Sequence, residues 1–193
     1  MSLSLSMAAF ALAASISPGP VNIVALGSGA RHGLRASLAH VAGATLGFCL
    51  LLVLVGLGLH ELLLRWPLLG VLLHWGGVAF LLYMAWKLAS DDGQLGGEHR
   101  QSAPSAWHGA AMQWLNPKAW LAAVAGVAAY TGGEQQMLWL FTWIYGPICF
   151  VSVASWAWAG SVIRQCLGNP RQMRLLNRGL AVLLVASAAY LVI

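Results

Sequence analysis

A proline–glycine–proline break interrupts the first long apolar run of the chain. The run extends from about residue 3 to residue 29, and Pro18, Gly19 and Pro20 lie in its middle. A proline removes a backbone donor and its ring clashes with the preceding turn, so an α-helix cannot continue smoothly through this segment. In hydrocarbon, such a break is tolerated only where protein or a water-filled cavity satisfies the freed backbone groups. The break therefore predicts a cavity.

A second break, Asn116-Pro117-Lys118, interrupts another apolar run about a hundred residues later. Placing a lysine in hydrocarbon costs roughly 2.5–3.5 kcal/mol, and such residues usually face the interior of a helix bundle. The alternative is that Lys118 snorkels to the cytoplasmic interface. Interrupted apolar segments at corresponding places in two halves of a chain indicate a transporter site at a repeat interface.

Composition places the chain in a bilayer as one domain, residues 1–193. Of its 193 residues 60% are hydrophobic and only 8% are charged, whereas a soluble domain carries roughly 25% charged residues. The net charge of +5 comes from scattered residues with no basic run that interleaves aromatics, so we expect no nucleic-acid partner. The three cysteines have no ligand-like spacing, so we expect free thiols, no metal and no cofactor.

Six apolar runs are about long enough to cross the bilayer, which needs about 20 residues per helix. We therefore predict an all-α integral membrane protein whose first and fourth helices are broken at proline. The predicted half-repeats cover residues 1–89 and 107–193, joined by a solvated linker at 90–106 that contains Asp91, Asp92 and Glu98. No Lys or Arg precedes Arg31, so we expect a retained first helix rather than a signal peptide. The six runs are 3–29, 37–59, 67–88, 108–130, 137–161 and 177–193.

The basic residues of the connections predict the orientation, because cytoplasmic loops carry an excess of Lys and Arg. Alternate connections hold eight basic residues, and the opposite side holds only Arg65, with Lys118 set aside. Both termini should therefore lie outside the cytoplasm. Three helices per half give the halves opposite orientations, which is the geometry of an inverted repeat. The eight residues are Arg31, Arg35, Lys87, Arg100, Arg164, Arg171, Arg174 and Arg178.

The broken helices suit a zwitterionic amino acid. A half-helix N-terminus carries partial positive charge that favours a carboxylate, and freed carbonyls favour an ammonium. Asn22 lies one turn past Pro18 and adds a donor and an acceptor on a similar face. A proline kink that serves packing alone is the alternative. The expected substrate-binding residues are Pro18, Gly19, Pro20, Asn22, Asn116, Pro117 and Lys118.

Other intramembrane features are less specific. Ala39, Gly43 and Gly47 recur every four residues and predict close helix packing, within the chain by default or between two copies in a homodimer. His40 and His74 are more typical of packing than of a proton relay, and no carboxylate is clearly intramembrane. The deeper tryptophans, favoured as packing over cavity wall, are Trp114, Trp120, Trp156 and Trp158.

Several of these motifs together resemble the LysE/RhtB family of amino-acid exporters, over essentially the whole chain. They are Ser17–Asn22 with its Pro-Gly-Pro, Gly33–Arg35, the aromatic run Trp75–Lys87, and Leu115–Ala119 with its Asn-Pro-Lys. The resemblance implies efflux of an amino acid or derivative across a bacterial inner membrane, driven by the proton gradient as an antiporter. The positions that carry over are Pro18, Gly19, Pro20, Asn116, Pro117 and Lys118.

Two shorter segments, Gly43–Phe48 and Ala85–Lys87, are similar to the branch of the family that exports cysteine and O-acetylserine. A membrane scaffold that transports nothing is the alternative function. Asn116 and Lys118 argue against a scaffold, because it gains little from the cost of burying them. An enzyme lacks support, since no nucleophile and base fall at a shared depth.

Overall fold

The structure is a computed structural model that describes residues 2–93, 103–167 and 169–192, and these ranges are helical with no strand. The first half contains α1 (Leu3–Ile16), α2 (Pro20–His32), α3 (Leu34–Leu54), a π-helical turn (Val55–Leu59), α4 (His60–Arg65) and α5 (Pro67–Ala89). The second half contains α6 (Ala106–Trp114), α7 (Pro117–Tyr130), α8 (Gln135–Cys166) and α9 (Pro170–Val192). The all-helical prediction is confirmed for the described residues.

Both expected helix breaks are present. The axes of α1 and α2 meet at 62°. Pro20 and Pro117 are the first residues of α2 and α7, where the missing N–H of proline has no intrahelical partner to lose. Gly19 precedes Pro20 in an extended conformation, with φ −172°. The prolines therefore begin new helices instead of bending continuous ones.

Three helical segments in the described ranges are long and apolar enough to cross a membrane: Leu34–Leu59, Pro67–Ala89 and Gln135–Cys166. The bent pair α1 and α2 makes a fourth candidate if it is counted as one span. The sequence predicted six. The fourth predicted span is divided between α6, with nine residues, and α7, with 14 residues, and the sixth predicted span falls on α9.

The long helix α8 is the centre of the packing. It contacts α1, α2 and α3, while α3 also packs on α6, and α5 packs on α9. Two of these contacts need glycine: a Cβ on Gly29 would overlap the backbone of Ala157 in α8, and a Cβ on Gly43 would overlap the backbone of Ala106 in α6. Backbones thus meet directly at α2–α8 and at α3–α6.

The start of the linker differs from the sequence prediction. Asp91 is not solvated: it is 9% exposed and forms an ion pair with Arg31 at the end of α2. Its Oδ1 also accepts a hydrogen bond from the N–H of Gly93 at 2.8 Å. The prediction of a solvated linker is therefore wrong at Asp91. Residues 94–102, which include Glu98 and Arg100, lie outside the described residues.

Candidate functional site

The two helix breaks meet at Lys118. Its ammonium donates to the carbonyl oxygen of Ser17 at 2.7 Å, to the Ser17 hydroxyl at 2.8 Å and to the carbonyl oxygen of Pro18 at 3.2 Å. Segments about a hundred residues apart in sequence are thus joined by one side chain. Lys118 is directed to the break between α1 and α2 and does not snorkel away from it.

The chemistry of this contact follows from the end of α1. The last carbonyls of a helix have no intrahelical donor and carry the negative end of the helix dipole. A lysine ammonium has three N–H donors, and here it finds three acceptors at Ser17 and Pro18. Lys118 therefore neutralises the end of α1, while among the described residues its own charge is held only by neutral oxygen atoms.

Asn22 binds the same helix end from the other side of the break. Its side-chain amide donates to the carbonyl oxygen of Ser15 at 2.8 Å and to that of Ser17 at 3.0 Å, and the residue is 4% exposed. The carbonyl of Ser17 is therefore shared by Asn22 and Lys118. Gly19 keeps the approach open, since a Cβ there would lie 3.2 Å from the Lys118 nitrogen.

The second break is capped by its own side chains. The Asn116 Oδ1 accepts from the backbone N–H of Lys118 at 3.1 Å and caps the first turn of α7. The Trp120 indole donates to the carbonyl of Trp114, the last residue of α6, at 2.7 Å. At the first break, the Trp156 indole of α8 donates to the carbonyl oxygen of Ile16, the last residue of α1, at 3.0 Å. Each broken helix end thus has an indole donor.

A cavity of about 40 Å³ lies where the two breaks meet. A single water needs roughly 10–15 Å³ by this measure, so the cavity has room for a few waters, and an amino acid fits only if the walls move apart. None of the lining residues, all of which the structure describes, is a carboxylate. Its polar lining consists of Ser15, Gly19, Asn22, Gln113, Asn116, Lys118, Tyr145 and Cys149.

Four of the seven predicted site residues line this cavity: Gly19, Asn22, Asn116 and Lys118. The other three shape the breaks. Pro20 and Pro117 begin helices, and Pro18 contributes its carbonyl oxygen to Lys118.

Sequence reasoning missed several cavity residues. Ser17 was part of the recognised break, but its role as the main acceptor for Lys118 depends on the tertiary contact. Phe48 and Tyr145 form a wall with ring centroids 4.3 Å apart. Both lie inside long apolar runs, where nothing in the sequence distinguishes them from lipid-facing aromatics.

The predicted small-residue face divides in two. Gly43 and Gly47 contact Ala106 and Ala110 of α6, whereas Ala39 is exposed. His40 is fully buried beside this contact, where its carbonyl oxygen faces Gly109.

Comparisons with known proteins agree with the resemblance drawn from the motifs. A family model described as LysE type translocator matches residues 12–193. The cysteine/O-acetylserine efflux proteins of Escherichia coli strain K12 and of Shigella flexneri are each 32% identical to the chain over 187 residues, which is 93% of this chain and 92% of theirs. No solved structure matches the chain significantly.

Proposed function

The chain belongs to the LysE family of translocators, and from this premise we propose that it exports a small amino acid or amino-acid derivative from the cytoplasm. Members of the family are transporters, so the chain is not an enzyme. The related efflux proteins are named for cysteine and O-acetylserine. We propose the same class of small, uncharged-side-chain amino acid as the substrate here.

The contact between Lys118 and Ser17 carries the proposal. It joins the Lys118 ammonium to backbone carbonyls. A zwitterion can supply a carboxylate for the Lys118 ammonium and an ammonium for the carbonyls. When the substrate carboxylate binds Lys118, the carbonyls of Ser17 and Pro18 are released and can accept the substrate ammonium. One ion–dipole contact is thereby exchanged for two charge-assisted contacts, which compensates for desolvating the substrate. Without substrate, the polar groups of the site hydrogen-bond to one another. When the site opens, the same groups are complementary to the charges of the substrate.

We propose that six spans form two inverted repeats, residues 1–89 and 107–193, which rock against each other in alternating access. The packing supports this arrangement. If the two halves are repeats, α1 corresponds to α6 and α3 corresponds to α8. The contact between α1 and α8 is then equivalent to the contact between α6 and α3, and both contacts are extensive. Helices α5 and α9 are each other's counterparts, so the contact between them is equivalent to itself. The two breaks are then equivalent elements on either side of the cavity.

Several contacts of α2 are more extensive than the equivalent contacts of α7. α2 packs extensively on α8, but its counterpart α7 touches α3 only slightly. In an inverted repeat, such a difference between equivalent contacts distinguishes the closed side of the carrier from the open side. The proposed topology places the C-terminal end of α2 at the cytoplasm, because Arg31 and Arg35 follow it. We therefore assign the structure to a state closed towards the cytoplasm, with both termini outside, in a bacterial inner membrane.

The proton gradient is the proposed driving force, in antiport with the substrate. Lys118 is the cationic group in the cavity lining, and it changes its hydrogen-bond partners on substrate binding. Because Lys118 must keep its proton to bind the substrate carboxylate, we do not place the proton exchange at Lys118. A homodimer through the exposed face of α3, which includes Ala39, remains a prediction.

Efflux from proteoliposomes loaded with labelled L-cysteine, O-acetyl-L-serine, L-alanine and L-lysine tests this function. We compare the wild type with Lys118→Met, which keeps the length of the side chain and removes its charge. Loss of a charged hydrogen-bond partner is worth roughly 1.5–3 kcal/mol, so export should fall about 10- to 100-fold. Arg178→Gln is the matched control, because Arg178 is exposed on α9, away from this cavity. Wild-type export that Lys118→Met leaves intact would refute the site, and no export of any amino acid would refute the function.

A further inference from the structure

A second cavity, of about 60 Å³, lies between α2, α5, α6 and α9. Its α2 wall is formed by residues from Val24 to His32, directly after the residues that line the first cavity. It therefore lies on the side of the first cavity that we assign to the cytoplasm. Its lining includes Ser28, Arg31, Lys87, Asp91, His108 and Asn177.

Asn177 is the unexplained residue of this cavity. It is 1% exposed, and neither its side-chain oxygen nor its nitrogen has a hydrogen-bond partner among the residues that the structure describes. A buried polar group without a partner destabilises a fold, and nearly all such groups in proteins are satisfied. An amide that lines a cavity and lacks a partner in the chain is a candidate ligand-binding group.

The charges around Asn177 specify the ligand. Arg31 and Asp91 form an ion pair across the ends of α2 and α5, with side chains 16% and 5% exposed. The pair uses Nη1 of Arg31, and a guanidinium has further N–H donors on its other nitrogens. Lys87 adds a second cation to the same lining. A zwitterion carries the same two opposite charges and can bind to both members of such a pair.

We propose that this cavity is a second amino-acid site, which binds the substrate on the cytoplasmic side before it reaches Lys118. The carboxylate binds Arg31 and Lys87, the ammonium binds Asp91, and the Asn177 amide hydrogen-bonds the substrate. The inference rests on the proposed export and on the proposed orientation of the chain.

Asn177→Leu tests the inference, because leucine has the same number and branching of side-chain heavy atoms as asparagine and cannot hydrogen-bond. In inside-out membrane vesicles that take up labelled L-cysteine, the variant should raise the KM at the cytoplasmic face about three- to tenfold, the value of one hydrogen bond, with a maximal rate close to that of the wild type. Counterflow measured from the outer face in right-side-out vesicles should not change. The melting temperature should stay equal or rise, because an unsatisfied polar group has been removed.

A second variant, Lys87→Met, removes a cation from the same lining and should raise the same KM. Arg178→Gln, one residue after Asn177 on α9 but outside this lining, should not. An unchanged KM in both Asn177→Leu and Lys87→Met overturns the inference, even where the wild type exports. Equal losses at both faces, or competition by inorganic phosphate as strong as by unlabelled L-cysteine, also overturn it. Absence of wild-type export would instead refute the proposed function.

Discussion

Gly29 provides the sharpest test of the proposal that the structure is closed towards the cytoplasm. A Cβ at this position would overlap the carbonyl group of Ala157, which is rigid helix backbone and cannot rotate away. Gly29→Ala therefore forces α2 away from α8. Overpacking of this kind typically costs 1–3 kcal/mol. If that cost falls on the closed state alone, the ratio of open to closed carriers rises about 5- to 150-fold.

Cysteine labelling measures this shift. Ser28 is 5% exposed and lines the second cavity, so Ser28→Cys should react slowly with a membrane-impermeant maleimide added at the cytoplasmic face. The background lacks Cys49, Cys149 and Cys166, the three native free cysteines. Gly29→Ala should accelerate the labelling by at least fivefold, in line with the population shift.

Gly179→Ala is the matched control, since a Cβ at Gly179 meets no atom within 4 Å. It should leave the labelling rate of Ser28→Cys unchanged. Equal labelling rates in Gly29→Ala and Gly179→Ala, in proteins that melt at similar temperatures, would show that the contact between α2 and α8 does not close the cytoplasmic side.

Three further substitutions address the first cavity, each measured by efflux and by thermal melting. Asn22→Ala removes two hydrogen bonds and leaves the carbonyls of Ser15 and Ser17 with fewer donors. Export should fall, and the free energy of unfolding should fall by about 1–3 kcal/mol, which lowers the melting temperature. An unchanged melting temperature would contradict this. Gly19→Ala places a Cβ 3.2 Å from a flexible ammonium, so export should fall while melting barely changes. Trp156→Phe removes the donor to Ile16, and export should fall about fivefold; export at the wild-type rate would show that this cap is dispensable.

Local sequence determined the two breaks, because proline acts on its own backbone. Pro20 and Pro117 start helices for reasons internal to a few residues, and Asn116 caps the second of these helices in the same way. Their corresponding places in the two halves then assigned both breaks, and Lys118 with them, to one predicted site. The partner of Lys118 was not predictable, since the choice of Ser17 over Asn22 depends on how the halves dock.

Hydrogen-bond and ion-pair partners that lie far apart in the chain could not be predicted for a different reason. The chain has ten tryptophans, and an indole that caps a broken helix looks like any other apolar residue in its run. Trp156 and Trp120 were therefore assigned to packing, but the structure shows that their N–H groups cap α1 and α6. Asp91 was misassigned because it stands beside a linker rich in glycine and charge, and its ion pair with Arg31 crosses from α5 to α2.

The two cavities share α2 as their common wall, and this makes α2 the element that the proposed transport cycle must move. It has 13 residues, roughly 20 Å of helix, and begins after the extended Gly19. It ends at Gly33, whose φ of 82° few other residues adopt. The contacts of Lys118 with Ser17 and Pro18 hold the segment just before the N-terminal end of α2. The ion pair of Arg31 with Asp91 holds its C-terminal end. In the proposed cycle, substrate competes for both contacts, so its binding favours movement of α2 away from α8.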